Sequence, residues 1–216
     1  LKEVGLFTKD ALLIQVLNKI RFQTDVMLVG AFLSLSAASV FYSSTTPAMM
    51  CFTLANLLMS NTLPGINEII GTGDIDKVKV IYLKVLRYVL LLSAVAIFGI
   101  TFCNKYVVLL WVGEGQYGGI IIDVLIGLQV GLLILNSFNG NFLVAMGKVK
   151  KISRVSAIIT FVGLGLSMIL VKTVGMTGLL ISSVSVLLFG TVFFLWQIEN
   201  LFGEKIYRNF NTYFPR

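Results

Sequence analysis

Histidine is absent from this 216-residue chain, and cysteine occurs only twice. A zinc site or a disulfide framework would need ligands or partners that the chain lacks, so no metal centre is expected. Cys51 lies within an apolar stretch and Cys103 near the end of another. Both are expected to be small buried hydrophobes. Charge is the larger deficit. Only 12% of the residues are Asp, Glu, Lys or Arg, against about 25% in an ordinary soluble domain. A water-soluble core of this size could not hide the 57% of residues that are hydrophobic, whereas a bilayer can. No activated nucleophile, metal-ligand cluster or phosphate-binding loop stands out, so catalysis, a cofactor and ATP hydrolysis are not expected.

What the chain does have is a succession of long apolar runs. A span needs roughly 20 mostly apolar residues. Six such stretches fall at about 11–33, 38–62, 85–103, 119–143, 153–172 and 177–198. In hydrocarbon every backbone polar group must be paired internally, and the runs are continuous rather than alternating, so they read as helices and not as barrel strands. The expected fold is therefore all-α: a polytopic membrane protein with six transmembrane helices in a repeat over 1–199. A cytoplasmic or interfacial tail follows over 200–216. The second stretch runs on to Ile70 and contains Pro47 and Pro64, which read either as kinks held by neighbouring helices or as marks of a moving helix. Gly71–Asp76 reads as a turn with an N-cap aspartate that opens the next helix. Trp111–Tyr117 reads as a glycine-rich turn at the membrane surface, with Glu114 solvated and Asp123 at the interface.

The net charge of +7 is distributed unevenly. Lys2, Lys9, Lys77, Lys79, Lys84, Arg87, Lys148, Lys150, Lys151, Arg154, Lys205, Arg208 and Arg216 fall on one side of the expected spans, and only Lys105 and Lys172 on the other. The positive-inside rule puts both termini in the cytoplasm, and the excess charge reads as membrane orientation rather than as nucleic-acid binding.

Ionisable residues inside the first span carry the best functional signal, because charge at that depth is costly. Asn18, Arg21 and Asp25 share one helix face, and Arg21 and Asp25 are one turn apart and can pair. Lys19 points away from that face and either meets another wall or reaches toward the surface. The bland alternative is an internal ion pair that locks this helix to its neighbours. The functional one is a watery cavity in which Arg21 holds phosphate oxygens in a forked geometry. Asp25 would then balance the charge or carry a proton or sodium ion. Tyr42, Ser43, Ser44, Thr45, Thr46, Asn56, Ser60 and Asn61 in the second span could face the same space, as could Asp123, Gln129, Asn136, Asn139 and Asn141 in the fourth. Asn136 and Asn139 are the amides expected to meet sugar hydroxyls. The last two spans carry almost no charge, and Gly163, Gly165, Gly175 and Gly178 suit close helix packing, so they read as scaffold.

Several short motifs occur together in order. They are Gln23–Leu33 followed by Val40-Phe-Tyr42, then Leu63-Pro-Gly-Ile-Asn-Glu68 ahead of Gly73–Asp76. Leu110-Trp-Val-Gly113 with Tyr117 comes next, then Asn141–Lys148 and Val174–Gly178. Together they resemble a repeat of the lipid-linked oligosaccharide flippases of the multidrug/oligosaccharidyl-lipid/polysaccharide exporter (MATE-like) superfamily. The resemblance spans nearly the whole chain. It implies one half, the C-terminal one, of a transporter with twelve or more helices in the bacterial cytoplasmic (inner) membrane. The partners it implies are a polyprenyl-pyrophosphate-linked oligosaccharide, membrane lipid and the other half of the transporter. It also implies that Arg21, with Lys19 beside it, attracts the anionic head. The activity implied is movement of the sugar repeat unit across the membrane by alternating access, for polysaccharide biosynthesis. A cation-coupled multidrug exporter of the same superfamily and a non-transporting membrane scaffold subunit are the competing expectations.

Overall fold

The computed structural model describes residues 24–203, and these residues form helices joined by short turns. A helical segment over 24–32 is α1. It is followed by α2 (Leu35–Gly71), α3 (Ile75–Val112), a single 3-10 turn at Glu114–Gln116, α4 (Ile120–Ala145), α5 (Val149–Val174) and α6 (Met176–Phe202). Local chemistry sets the breaks. Ser34 caps α2 by accepting from the Ala37 amide at 3.0 Å. Asp74 caps α3 by accepting from the Lys77 amide at 3.1 Å, as expected for an aspartate ahead of an apolar run. The Lys77 ammonium also pairs with Asp74, and those bonds hold the Asp74 carboxyl below its ordinary value. One residue, Gly175, separates α5 from α6, at φ 75°. Only a residue without a Cβ takes that conformation freely, and it reverses the chain in the least possible length.

Four helices, α3 to α6, are long and apolar enough to cross a membrane. That is the signature of a multi-pass membrane protein. Helix α2 has 37 residues but is not among them, because serines, threonines and asparagines interrupt its apolar sequence. Most of the expected first span, 11–33, lies outside the described residues. The observed helices are longer than the apolar stretches marked in the sequence. Helix α3 begins ten residues before the expected 85, because the basic turn at Lys77–Lys84 is already helical. Pro47 and Pro64 both lie inside α2 without ending it.

Helix α4 stands at the centre and packs against α2, α3 and α6. It runs alongside α2 and α6 and antiparallel to α3. Asp123 of α4 meets Asn104 of α3 at one end, and Asn139 meets Tyr82 at the other. The bundle therefore has a basic end, with the turns at 72–74 and 146–148, and a far end, with the turn at 113–119. At the basic end Tyr82, Phe138, Phe142 and Phe202 form an aromatic cluster, with the Tyr82 and Phe142 ring centroids 4.5 Å apart. Lipid tails are as apolar as leucine, so such clusters hold helices together by packing density rather than by expulsion from water.

Two expectations are corrected. Cys51 and Cys103 are exposed on the helix surface and not buried, because α2 and α3 part where these residues sit. Asp123 is not at the interface with water. It has no exposed surface at all, because neighbouring helices and the 113–119 turn close over it. Helices α5 and α6 form the tight hairpin that their glycines suggest. A Cβ on Gly178 would strike the Leu170 carbonyl oxygen, which belongs to the backbone and cannot swing away. Gly178→Ala is therefore expected to destabilise the protein by about 1–3 kcal/mol, a typical overpacking cost. Gly165→Ala, whose Cβ meets nothing within 4 Å, should have little effect. Thermal unfolding of the two variants in detergent checks the difference.

Candidate functional site

A cavity of about 350 Å³ opens between α2, α4, α5 and α6. Its polar wall consists of Asn56, Asn136, Ser137, Asn141, Ser156 and Thr160, and no described lining residue is charged. Phe52 and Phe194 close parts of the remainder. The wall is built by helix periodicity. On α4, Asn136, Ser137, Gly140 and Asn141 bring one polar face to the cavity. Ser156 and Thr160, one turn apart on α5, do the same from the opposite side.

Hydrogen bonds fix the amides. The Ser137 hydroxyl donates to Asn56 Oδ1 at 2.7 Å, joining α4 to α2. Asn136 Nδ2 donates to the Leu187 carbonyl at 3.0 Å, and Asn136 Oδ1 accepts from the Thr191 hydroxyl at 3.2 Å. Asn136 is thus held against α6, yet its amide retains a second N–H and a second lone pair. Gly190 faces the Asn136 amide, and a Cβ there would lie 3.6 Å from its atoms, an ordinary contact. A wall of amides and hydroxyls donates and accepts equally well. It matches a neutral polyhydroxyl compound, whereas an ion would gain no charged partner from these side chains.

Beside this cavity lies a much smaller pocket of about 10 Å³, roughly the room needed for one water-sized sphere. Asp25, Thr160, Ser167 and Ser183 line it, and Thr160 and Val186 also line the large cavity. Asp25 is 8% exposed. A carboxylate and three hydroxyls around so small a space are all oxygen donors of the kind that suit a proton or a small hard cation.

Of the residues singled out in the sequence, Asn136 and Asp25 therefore stand at adjoining spaces. Asn139 stands apart from both. It is 1% exposed, its Oδ1 accepts from the Tyr82 hydroxyl at 2.8 Å, and its Nδ2 has no hydrogen-bond partner among the described residues. It belongs to the aromatic cluster at the basic end. Asn18, Lys19 and Arg21 lie outside the described residues. Ser43, Ser44 and Thr45 turn into the bundle rather than toward the cavity. Helices α5 and α6 do more than support the fold, since Ser156, Thr160 and Gly190 are part of the wall. Their signal was present in the sequence: Ser153, Ser156, Thr160, Gly163 and Ser167 recur at spacings of three and four, a polar stripe without charge.

A second buried polar group sits at the far end. Asp123 accepts from Asn104 Nδ2 at 2.6 Å and from the Tyr117 hydroxyl at 2.8 Å, one bond to each carboxylate oxygen. Asn104 Nδ2 also donates to the Ser44 carbonyl at 3.0 Å, and the Ser44 hydroxyl accepts from the Gly118 amide at 3.2 Å. Five residues thus tie α2, α3, α4 and the turn together. No family model matches the chain, and no curated protein or solved structure matches it either. The functional reading rests on the geometry and the sequence.

Tyr117 lies in the turn outside the helices. Burial, with the hydrogen bond it donates to the Asp123 carboxylate, pushes its phenol up to about 12 from an ordinary 10.0. The folded state thus favours the protonated phenol. The stabilisation is complete below pH 10 and disappears as the pH rises through about 12. The unfolding midpoint of the wild type should exceed that of Tyr117→Phe by a constant margin up to about pH 10. The margin should then shrink to nothing above 12. Asp123→Ala leaves one N–H of the buried Asn104 amide without an acceptor and frees the part-buried Tyr117 hydroxyl, and should cost about 1–3 kcal/mol, chiefly for the buried donor. Ser167→Ala removes one neutral bond to Ser182 and should cost about 0.6 kcal/mol. Unfolding midpoints in detergent rank the two.

Proposed function

We propose that this chain is one half of a transporter that carries a polyprenyl-pyrophosphate-linked oligosaccharide across the bacterial inner membrane by alternating access. The observation that carries the reading is the uncharged polar cavity walled by Asn56, Asn136, Ser137, Asn141, Ser156 and Thr160. A polar space enclosed by helices of membrane-spanning length is expensive, and such sites mark substrate paths. Its amides and hydroxyls suit sugar hydroxyls. The resemblance of the ordered motifs to the oligosaccharide flippases points to the same substrate class.

In this reading Arg21, with Lys19 and Asn18, attracts the anionic pyrophosphate head, and Asn136 holds the glycan beyond it. Asn139, bonded to Tyr82 away from the cavity, holds α4 against α3. Asp25, which shares Thr160 with the cavity, couples the cycle to a proton or sodium gradient or balances Arg21. Six membrane spans, including α1 and α2, would make up this half. The exposed residues of α2 support a second half opposite it. Tyr42, Thr53, Ser60 and Asn61 are exposed along a helix whose neighbours cross the membrane. The Thr53 and Ser60 hydroxyls bond their own backbone, but an exposed asparagine amide gains nothing from lipid. A facing protein surface across a watery seam would satisfy it. The basic loops would lie in the cytoplasm.

The test is surface-glycan restoration in a bacterium that lacks its own flippase, using the complete gene. Wild type is expected to restore the glycan, and Arg21→Ala to abolish it at an unchanged membrane level. Asn141→Leu, which removes one amide from the cavity, should reduce export about tenfold, equivalent to one hydrogen bond of about 1.4 kcal/mol. Full export by a stably inserted Arg21→Ala would overturn the assignment of the head group. Drug resistance conferred without any change in glycan would favour the multidrug exporter.

A further inference from the structure

Asn139 Nδ2 and Gln129 Oε1 are buried and have no hydrogen-bond partner among the described residues. Such atoms call for an explanation, because burial without a partner forfeits the bonds that the group makes to water. Asn139 has one: its other amide atom accepts from Tyr82, and the residue serves the contact of α4 with α3. Gln129, which is 3% exposed, takes no part in that contact.

The place of Gln129 on α4 supplies its explanation. At 3.6 residues per turn, it lies about 160° around the helix from Gly127 and Gly131. Those glycines mark the face that meets α3, since a Cβ on either would strike Ile97. Gln129 therefore faces away from α3. It falls within about 40° of Leu133, Asn136 and Gly140, which belong to the wall of the polar cavity. Leu133 is the last α4 residue of that wall toward the far end, and Gln129 is one turn beyond it. Helix α6 runs alongside α4, with Gly190 facing Asn136. Two turns from Asn136 to Gln129 thus correspond to two turns from Gly190 to Ser183, a residue that lines the small pocket with Asp25.

The polar face of α4 therefore does not stop with the cavity. Asn141, Ser137 and Asn136 run along it, and Gln129 continues it past Leu133 toward the middle of the bundle. Beyond Gln129 the same face carries only Ile126 and Ile122, both buried. A glycan that leaves the cavity for the far end passes Leu133 and meets Gln129 next. A residue that must take and release a passing ligand is better left without a permanent partner in the protein.

We propose that Gln129 is a sugar-binding residue of the transport path, its Oε1 accepting a glycan hydroxyl as the substrate moves past Leu133. That the donor is a sugar rests on the transport reading above. That the amide oxygen adds nothing to the stability of the protein alone does not.

The experiment pairs surface-glycan export with thermal unfolding of the complete protein, wild type beside Gln129→Met. Methionine keeps the length and unbranched shape of glutamine and removes the amide. The unfolding midpoint in detergent is expected to stay unchanged or to rise by about 2–4 °C, because a buried group without a partner is gone. Surface glycan is expected to fall about tenfold at an unchanged membrane level, the effect of one lost hydrogen bond to the substrate. A lowered midpoint would show that Gln129 is bonded within the protein and would overturn the proposal. Full export by Gln129→Met beside full export by the wild type would overturn it too and leave the transport reading standing. A wild type that restores no glycan would instead sink the transport reading, and the sugar assignment with it.

Discussion

A polar group inside a membrane bundle is costly unless it finds a partner within the protein, and the polar side chains of α4 tie it to three neighbouring helices. Gln129 Oε1 and Asn139 Nδ2 nevertheless stay buried without a partner among the described residues. The bonded side chains reach three different neighbours. Asp123 and Asn139 hold α3, Ser137 holds α2, and Asn136 holds α6. Without such ties an apolar helix has little reason to prefer one rotation over another, because lipid solvates every face equally. The bonds fix the rotation of α4, and the rotation fixes what faces the cavity. Asn136 and Ser137 serve in both roles at once. They anchor neighbouring helices and also present their remaining donors and acceptors to the open space.

The ties differ in strength, and the difference has a spatial order. At the far end both oxygens of a fully buried carboxylate are engaged, and bonds to a charged group contribute about 1.5–3 kcal/mol. Midway, the Asn136 and Ser137 bonds are neutral and worth about 0.6–1.7 kcal/mol each. At the basic end a single tyrosine bond is reinforced by stacked aromatic rings. The firmest contact thus lies farthest from the cavity. The cavity itself is bounded by weaker bonds, which a ligand with hydroxyl groups could replace at little cost.

Much of this was legible in the sequence. The all-helical class followed from apolar runs too long for strands, and the turns at Gly71–Asp76 and Trp111–Tyr117 followed from their glycines and the capping Asp74. The polar faces of α4 could be read from periodicity alone. Asn139 was harder to place. It is three residues from Asn136, near enough in angle to suggest the same face, yet Tyr82 draws it to the other side of α4. Asp123 looked like an interfacial residue because it stands near a helix end. Its burial depends on Asn104, Ser44 and Tyr117, which are distant in sequence and meet only when three helices and a turn close together. Cys51 and Cys103 were misjudged for a related reason. Composition predicts burial of small thiols, but only the parting of α2 from α3 decides which small residues remain uncovered.

The hairpin of α5 and α6 also has a bearing on how the chain is made. Gly175 is its only connecting residue, and the Ser182 hydroxyl binds the Gly163 carbonyl while Ser167 binds Ser182. No loop long enough to let one helix enter the bilayer ahead of the other exists between them. A helix pair joined so tightly is expected to insert as a hairpin matched along its length, and α4 then meets α6 with α5 already attached.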